Sequence, residues 1–318
     1  MIVSMYHYVR PIMNSVYPGI KGLELSDFEK QIRFLNDNFE VLSPALFCDM
    51  IQEGLDLKPN QAVLTFDDGY ADHFEYVFPL LQKYKMTGFF FVPVGPIKTK
   101  QVLNVNKIHY LLACASSTQG LLKQAKKSII NRGLLDIRLW NKYYENFAKP
   151  NRWDNGETIF FKRLFQHILP LEARSQIISE LFSQNVTSDE AAFAETLYLS
   201  ESNLKELINA GNLAGAHTVN HLWLDTLSKE AQRYELSSSK EFLIELGVKE
   251  SQISVAYPFG GYNAETLEVC EDLGYNLGFT TVPKKVESIS TLAQKLTIPR
   301  LDTNDLPPRN QIFKMNQF

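Results

Sequence analysis

Thr65-Phe66-Asp67-Asp68-Gly69-Tyr70 closes a short apolar run and sets two carboxylates side by side. Adjacent carboxylates are costly to bury unless a cation or a proton compensates them. The plainer alternative is a capping Asp followed by an Asp-Gly turn. A second feature is His217-Thr218-Val219-Asn220-His221. If that turn is helical, imidazoles at i and i+4 share a face and suit one metal ion. The spacing alone says little, but the chain holds 6 His and two of them stand here. With Asp68 they make one carboxylate and two imidazoles. That donor set suits Zn²⁺, or Co²⁺, Ni²⁺ or Mn²⁺, and leaves positions open for water and substrate. The third feature is Tyr257-Pro258-Phe259-Gly260-Gly261-Tyr262. A turn of that composition can aim a backbone N–H into a site, or can simply join a strand to a helix.

These groups need a scaffold that brings distant segments together. Short apolar runs recur at Ile2–Tyr8, Ala62–Phe66, Gly88–Pro93, Leu213–Ala216, Ile253–Tyr257, Leu277–Thr281 and Leu296–Pro299. Each suits a strand buried on both faces. Amphipathic stretches lie between them. One begins at Ser26-Asp27-Phe28-Glu29, which reads as a capping box. Alternation of this kind predicts parallel strands with helical crossovers, and seven strands predict an α/β barrel. In such a barrel, chemistry gathers at the C-terminal strand ends, where all three motifs fall.

Residues 98–199 break the alternation. Helical segments are expected at 108–115, 121–130, 135–147, 160–168 and 172–182, forming an insertion between barrel segments 1–97 and 200–318. Trp140, Tyr143, Tyr144 and Trp153 lie within it, as a satellite core or as a sugar-stacking lid over the barrel mouth.

Composition narrows the class. The 318 residues carry 32 basic and 36 acidic side chains, for a formal net charge of −4. Without a basic excess, a nucleic-acid partner is not expected. Cys48, Cys114 and Cys270 are too few and too scattered for a disulfide framework or a zinc ribbon, and read as small buried hydrophobes. No run approaches the roughly 20 apolar residues of a membrane helix. The first residues show no basic segment before an apolar one and no cleavage site, so a cytoplasmic location is the expectation.

The ordered set TFDDGY, HTVNH followed by Leu222 and Leu227, and YPFGGY resembles the polysaccharide deacetylases of the NodB-homology group, carbohydrate esterase family four. The resemblance covers about residues 1–97 and 200–302. It implies an irregular (β/α)7 barrel and removal of acetyl groups from N-acetylated sugars. By position it makes Asp67 the base, makes Asp68, His217 and His221 the metal ligands, and gives the Phe259 N–H to the oxyanion. Two departures stand out. Tyr257 occupies the place of an arginine that orients the base, and no His follows His221 to serve as the acid. Tyr6-His7, ending the first run, resembles the permuted branch typified by biofilm poly-N-acetylglucosamine deacetylases, which implies His7 as the acid. Pro299-Arg300-Leu301-Asp302 could supply the missing guanidinium, unless Arg300 forms an ordinary surface ion pair. His73 reads as a helix-surface residue or as a support for the site, and His109 and His167 as structural.

Competing readings keep the site but change its use. One is a non-catalytic, metal-bearing glycan binder. Another is a deformylase acting on a lipid-linked amino sugar. A cytoplasmic enzyme would meet nucleotide- or lipid-linked precursors, not finished polymer.

Overall fold

The computed structural model describes residues 1–151 and 154–310, so Trp153 lies outside the described residues. Strands β1 (Ile2–Tyr6), β2 (Gln61–Phe66), β3 (Gly88–Val92), β4 (Leu213–Ala216), β5 (Ser254–Ala256), β6 (Leu277–Phe279) and β7 (Leu301–Asp302) form one parallel sheet in the order β7-β1-β2-β3-β4-β5-β6. The short strand Glu40–Val41 adds beside β2. Every residue of β1 to β6 is buried, as expected where helices cover one face and packed side chains fill the other.

The final segment joins the two ends of the sheet. Ile298 bridges to Phe279 on β6, and Leu301 then pairs with Ser4 on β1. The last strand therefore lies later than the apolar run 296–299 predicts. Pro299 has no N–H to give a ladder, and pairing with β1 resumes only at Leu301. The first long helix, Leu25–Asn38, also departs from expectation. It starts after Glu24 with no side-chain cap, and Glu29 pairs with Arg33 and Lys83 instead of capping Ser26. Close packing fixes Gly215 on β4, where an added Cβ would overlap the Phe91 ring.

The chain divides into two units. One comprises Met1–Pro11, Gly22–Lys100 and the chain from Glu195 onward, and contains the sheet. The other comprises Gln101–Ala194 together with Ile12–Lys21, a segment that the sequence reading gave to the barrel. Ile12–Lys21 joins the helical unit through Tyr17, whose ring packs edge-on against Tyr110 and Phe193, and through the Lys21–Asp154 ion pair.

The helical unit has its own core, with Ile129, Phe160, Phe161, Leu164, Ile177 and Ile178 fully buried. Its helices include Asn104–Cys114, Thr118–Asn131, Ile137–Phe147, Gly156–Arg163 and Leu171–Asn185. Trp140 is buried edge-on against Phe160, which makes it part of that core and not a stacking platform. Cys48 and Cys270 are buried, whereas Cys114, at the end of a helix, is exposed. No helix among the described residues is long and apolar enough to cross a membrane.

Candidate metal centre and active site

Asp67 and Asp68 leave the C-terminal end of β2. The Asp67 amide still donates to Tyr6 O at 2.8 Å, so its backbone extends the β1–β2 ladder. Asp68 then adopts φ 74°, left-handed and unfavourable for a side chain with a Cβ. The turn sends the two carboxylates in different directions. Tyr70 donates its hydroxyl to Asp68 Oδ2 at 2.6 Å, and Leu199 N donates to Gly69 O at 2.8 Å, which fixes the strained turn from both sides.

Asp68 faces two imidazoles. Its Oδ1 lies 3.2 Å from His217 Nε2 and 3.2 Å from His221 Nε2. One potential ligand atom from each residue falls within 4.8 Å of the others. All three residues are buried. The spacing does not work through a helix. His217 follows β4, and Thr218 (φ 62°) and His221 (φ 54°) turn the chain in left-handed steps that bring the second ring round beside the first. His217 Nδ1 donates to Ala256 O at 2.7 Å. That bond selects the tautomer whose Nε2 presents a lone pair to the site. Asp68 Oδ1 is buried without a hydrogen-bond partner among the described residues. A buried carboxylate oxygen facing two imidazole nitrogens, with no donor of its own, fits a divalent cation.

Asp67 serves a second cluster. Arg300 donates through both terminal nitrogens, 2.7 Å to Asp67 Oδ1 and 2.7 Å to Oδ2. The same guanidinium donates to Thr280 O at 2.8 Å and Thr65 Oγ1 at 3.1 Å. Arg300 is completely buried, which rules out a surface ion pair. Its place just before β7 lets it enter the sheet interior beside β2. Tyr257 is turned elsewhere, donating its hydroxyl to Leu296 O at 2.9 Å. The guanidinium beside Asp67 thus comes from a different strand end than the three motifs suggest.

His7 follows β1. Its Nε2 lies 3.9 Å from Asp67 Oδ2, and its side chain is 42% exposed, the most open of the titratable groups gathered here. His73 is completely buried and not on the helix surface; its Nε2 donates to His7 O at 2.8 Å. Phe259 adopts φ 57°, with its ring stacked on Trp223 at 4.6 Å and edge-on to His221 at 4.6 Å.

The electrostatics separate the two carboxylates by role. Burial favours the protonated form of both. For Asp67 the charges of Arg300, His217 and His7 outweigh burial and hold the carboxyl below its ordinary value. For Asp68 the two facing imidazoles outweigh burial and hold it well below. Both are therefore ionised at neutral pH. Burial pushes the His73 imidazole down to about 4, so it stays neutral.

Asp68, His217 and His221 form one cluster, and Asp67, Arg300 and His7 form the next. His73 takes the supporting one of its two expected places, whereas Tyr70 and Glu235 were not read as supports in the sequence. Tyr70 stood inside the first motif, a usable signal. Gln232, Glu235 and Ser239 are polar residues on the buried face of a helix, beside Leu236 and Leu243, which was the other available signal.

Comparison with known proteins identifies the family and the fold. The family model described as Polysaccharide deacetylase matches residues 55–128 and 153–278, more than half of the chain. The Bacillus subtilis (strain 168) protein named "Putative polysaccharide deacetylase YxkH" is 36% identical over 86 residues, which span 27% of this chain and 30% of that relative. Among solved structures, the Streptococcus pyogenes deacetylase PplD, in complex with acetate, superposes with a TM-score of 0.56 at 19% identity, covering 97% of this chain and 95% of that one. IcaB from Ammonifex degensii superposes with a TM-score of 0.54 at 16% identity, covering 94% and 90%. These two structures share the fold. On the matched sequence, the chain belongs to the polysaccharide deacetylase family.

Proposed function

We propose that this protein is a metal-dependent amide hydrolase that removes the N-acetyl group of an amino sugar, releasing acetate and a free amine. The observation that carries the reading is the divergence of Asp67 and Asp68. One carboxylate joins two imidazoles, and its neighbour stays off that set, gripped by Arg300 beside an open His7. A binding-only site has no use for the second carboxylate.

Asp68, His217 and His221 would hold a divalent ion, which supplies Lewis acidity toward the amide carbonyl and makes water more acidic. Asp67 accepts the proton of the attacking water. Arg300 keeps Asp67 ionised and aims it. The Phe259 N–H donates to the carbonyl oxygen as negative charge develops there. His7 delivers a proton to the departing nitrogen, general-acid work to which an imidazole side chain is suited. Its exposure lets it reach a substrate. No covalent link to the protein is required.

The test is a screen of N-acetylated sugars as free oligomers, nucleotide-linked and lipid-linked forms, with the free amine and the released acid both measured. Acetate release that vanishes in Asp67→Asn supports the reading. Formate as the released acid would make the enzyme a deformylase. No turnover of any acylated amine by metal-loaded protein would leave a binding protein.

A further inference from the structure

We infer that Glu235 is a positioning residue of the metal centre: its buried carboxylate clamps the backbone of the His217–His221 turn and so sets the spacing of the two imidazoles. The inference rests on the metal-site reading above and extends it to a residue outside all three motifs.

Glu235 lies in the helix Lys229–Glu245 and is only 3% exposed. Its Oε2 accepts from Val219 N at 2.7 Å and from Asn220 N at 2.9 Å. Its Oε1 accepts from Asn220 Nδ2 at 2.6 Å. Three donors surround one buried carboxylate, and all three belong to the two residues between Thr218 and His221. These bonds are charge-assisted, hence shorter and stronger than neutral ones.

The turn needs such a clamp. Thr218 and His221 both have positive φ, and neither is glycine. A β-branched residue in that region persists only where its surroundings over-determine it. The carbonyls of the same turn are held from the opposite side: Val94 N donates to Thr218 O at 3.1 Å, and Gly95 N donates to Val219 O at 2.9 Å. Gly95 is required there, since a Cβ would stand 2.7 Å from Val219 O. Thr218 Oγ1 accepts from His221 N at 3.0 Å and closes the turn from within. The carbonyls are thus tethered by amides of the β3 connection, and the amides by Glu235.

The chemistry calls for a carboxylate. Glutamine has nearly the same shape, but its single oxygen must take the Val219 and Asn220 amides without a charge, and its NH₂ is accommodated only if the Asn220 side-chain amide turns over. Glu235→Gln therefore loses the charge-assisted bonds to the turn while keeping the packing of the helix. Groups that orient metal ligands in this way typically govern metal affinity by 10- to 100-fold.

The test compares wild type, Glu235→Gln, and Leu246→Ala, a core variant at the residue that follows the same helix, which leaves the turn untouched. Co²⁺ and Zn²⁺ affinities are measured by competition with a chelator, and the Co²⁺ absorption spectrum reports ligand geometry. Glu235→Gln should bind both ions 10- to 100-fold more weakly and change the Co²⁺ spectrum. Leu246→Ala should melt earlier in the metal-free form yet keep wild-type affinity. A folded Glu235→Gln with wild-type affinity and spectrum overturns the clamp. So does equal loss of affinity in Leu246→Ala, which would mark a general effect of stability. A wild type that binds neither ion would defeat the functional reading instead. The clamp is then read from amide exchange at Val219 and Asn220 in the metal-free chain, which Glu235→Gln must accelerate at least tenfold, and unchanged exchange overturns it.

Discussion

Replacing Arg300 with methionine removes a charge that the site cannot easily spare. Asp67 is buried, and both of its oxygens spend a hydrogen bond on the guanidinium. Methionine fills part of the volume and offers no donor. Removing one partner of a buried ion pair typically costs about 3–5 kcal/mol, because the remaining charge is left uncompensated. The cost falls on the ionised form of Asp67, so it depends on pH. In the wild type Asp67 is held below its ordinary value, and the stability it contributes is present at neutral pH and lost as pH falls through its folded value. In Arg300→Met, burial acts with less opposition and the carboxyl moves up. A penalty of 3–5 kcal/mol corresponds to an upward move of about 2–4 pH units. Two assays read this. Urea unfolding of metal-free protein at pH 7.5 should show the full loss, and at acid pH the gap from wild type should narrow as Asp67 takes up a proton. With metal-loaded enzyme, the acidic limb of kcat/KM against pH should move upward by a similar amount. Asp67→Asn combined with Arg300→Met should cost less than the sum of the single changes. The reasoning is refuted if Arg300→Met unfolds within about 1 kcal/mol of wild type at pH 7.5 and its acidic limb does not move.

Three further outcomes are expected. His217→Ala should lose metal retention, since two remaining ligands compete poorly with water, while Asp67→Asn keeps the metal and loses turnover; the opposite pattern, with Asp68→Asn retaining the ion, would exchange the roles of the carboxylates. His7→Ala should stay folded and metal-loaded, with kcat on amides down by roughly 10²–10⁴ and a smaller loss on an activated ester whose leaving group needs no proton; equal losses on both would point away from proton donation. Burial holds His73 at about 4 in the folded chain against 6.5 when unfolded, so stability is full above pH 6.5 and falls by about 3 kcal/mol as pH drops to 4; in His73→Gln the slope of stability against pH should lose about one proton over that window, and identical slopes would show that the buried imidazole is not the cause.

The parts of this protein written in local patterns were legible in its sequence. Buried runs such as Gly88–Val92 and Leu213–Ala216 announce strands because apolar residues on both faces have few other homes. The Asp68–His217–His221 cluster was visible because carboxylate and imidazole are chemically distinctive. What escaped depends on conformation or on distant partners. No pattern rule marks the turn through Thr218 and His221 as left-handed, because the hydrogen bonds that stabilise it come from Glu235 and from the β3 connection. The last strand was misplaced because Ile298 satisfies an apolar rule while Pro299 interrupts pairing until Leu301. Ile12–Lys21 joined the helical unit through single contacts, Tyr17 on Tyr110 and Lys21 on Asp154, that no periodicity encodes.

The union of the first and last segments bears on how this chain comes off a ribosome. Asp67 and Arg300 are 233 residues apart, yet share one buried hydrogen-bonded pair. A nascent chain can assemble β1, β2 and β3 early, since domains begin to form from the N-terminal side during synthesis. It cannot neutralise Asp67 until the segment before Leu301 has emerged. Until then β1 has an unpaired edge where Ser4 and Met5 later receive Leu301 and Asp302, and open strand edges invite wrong partners. A product of premature termination between His221 and Arg300 would hold the complete Asp68–His217–His221 set and an Asp67 with no guanidinium. Quality control by chaperones would find its target in that exposed edge of β1.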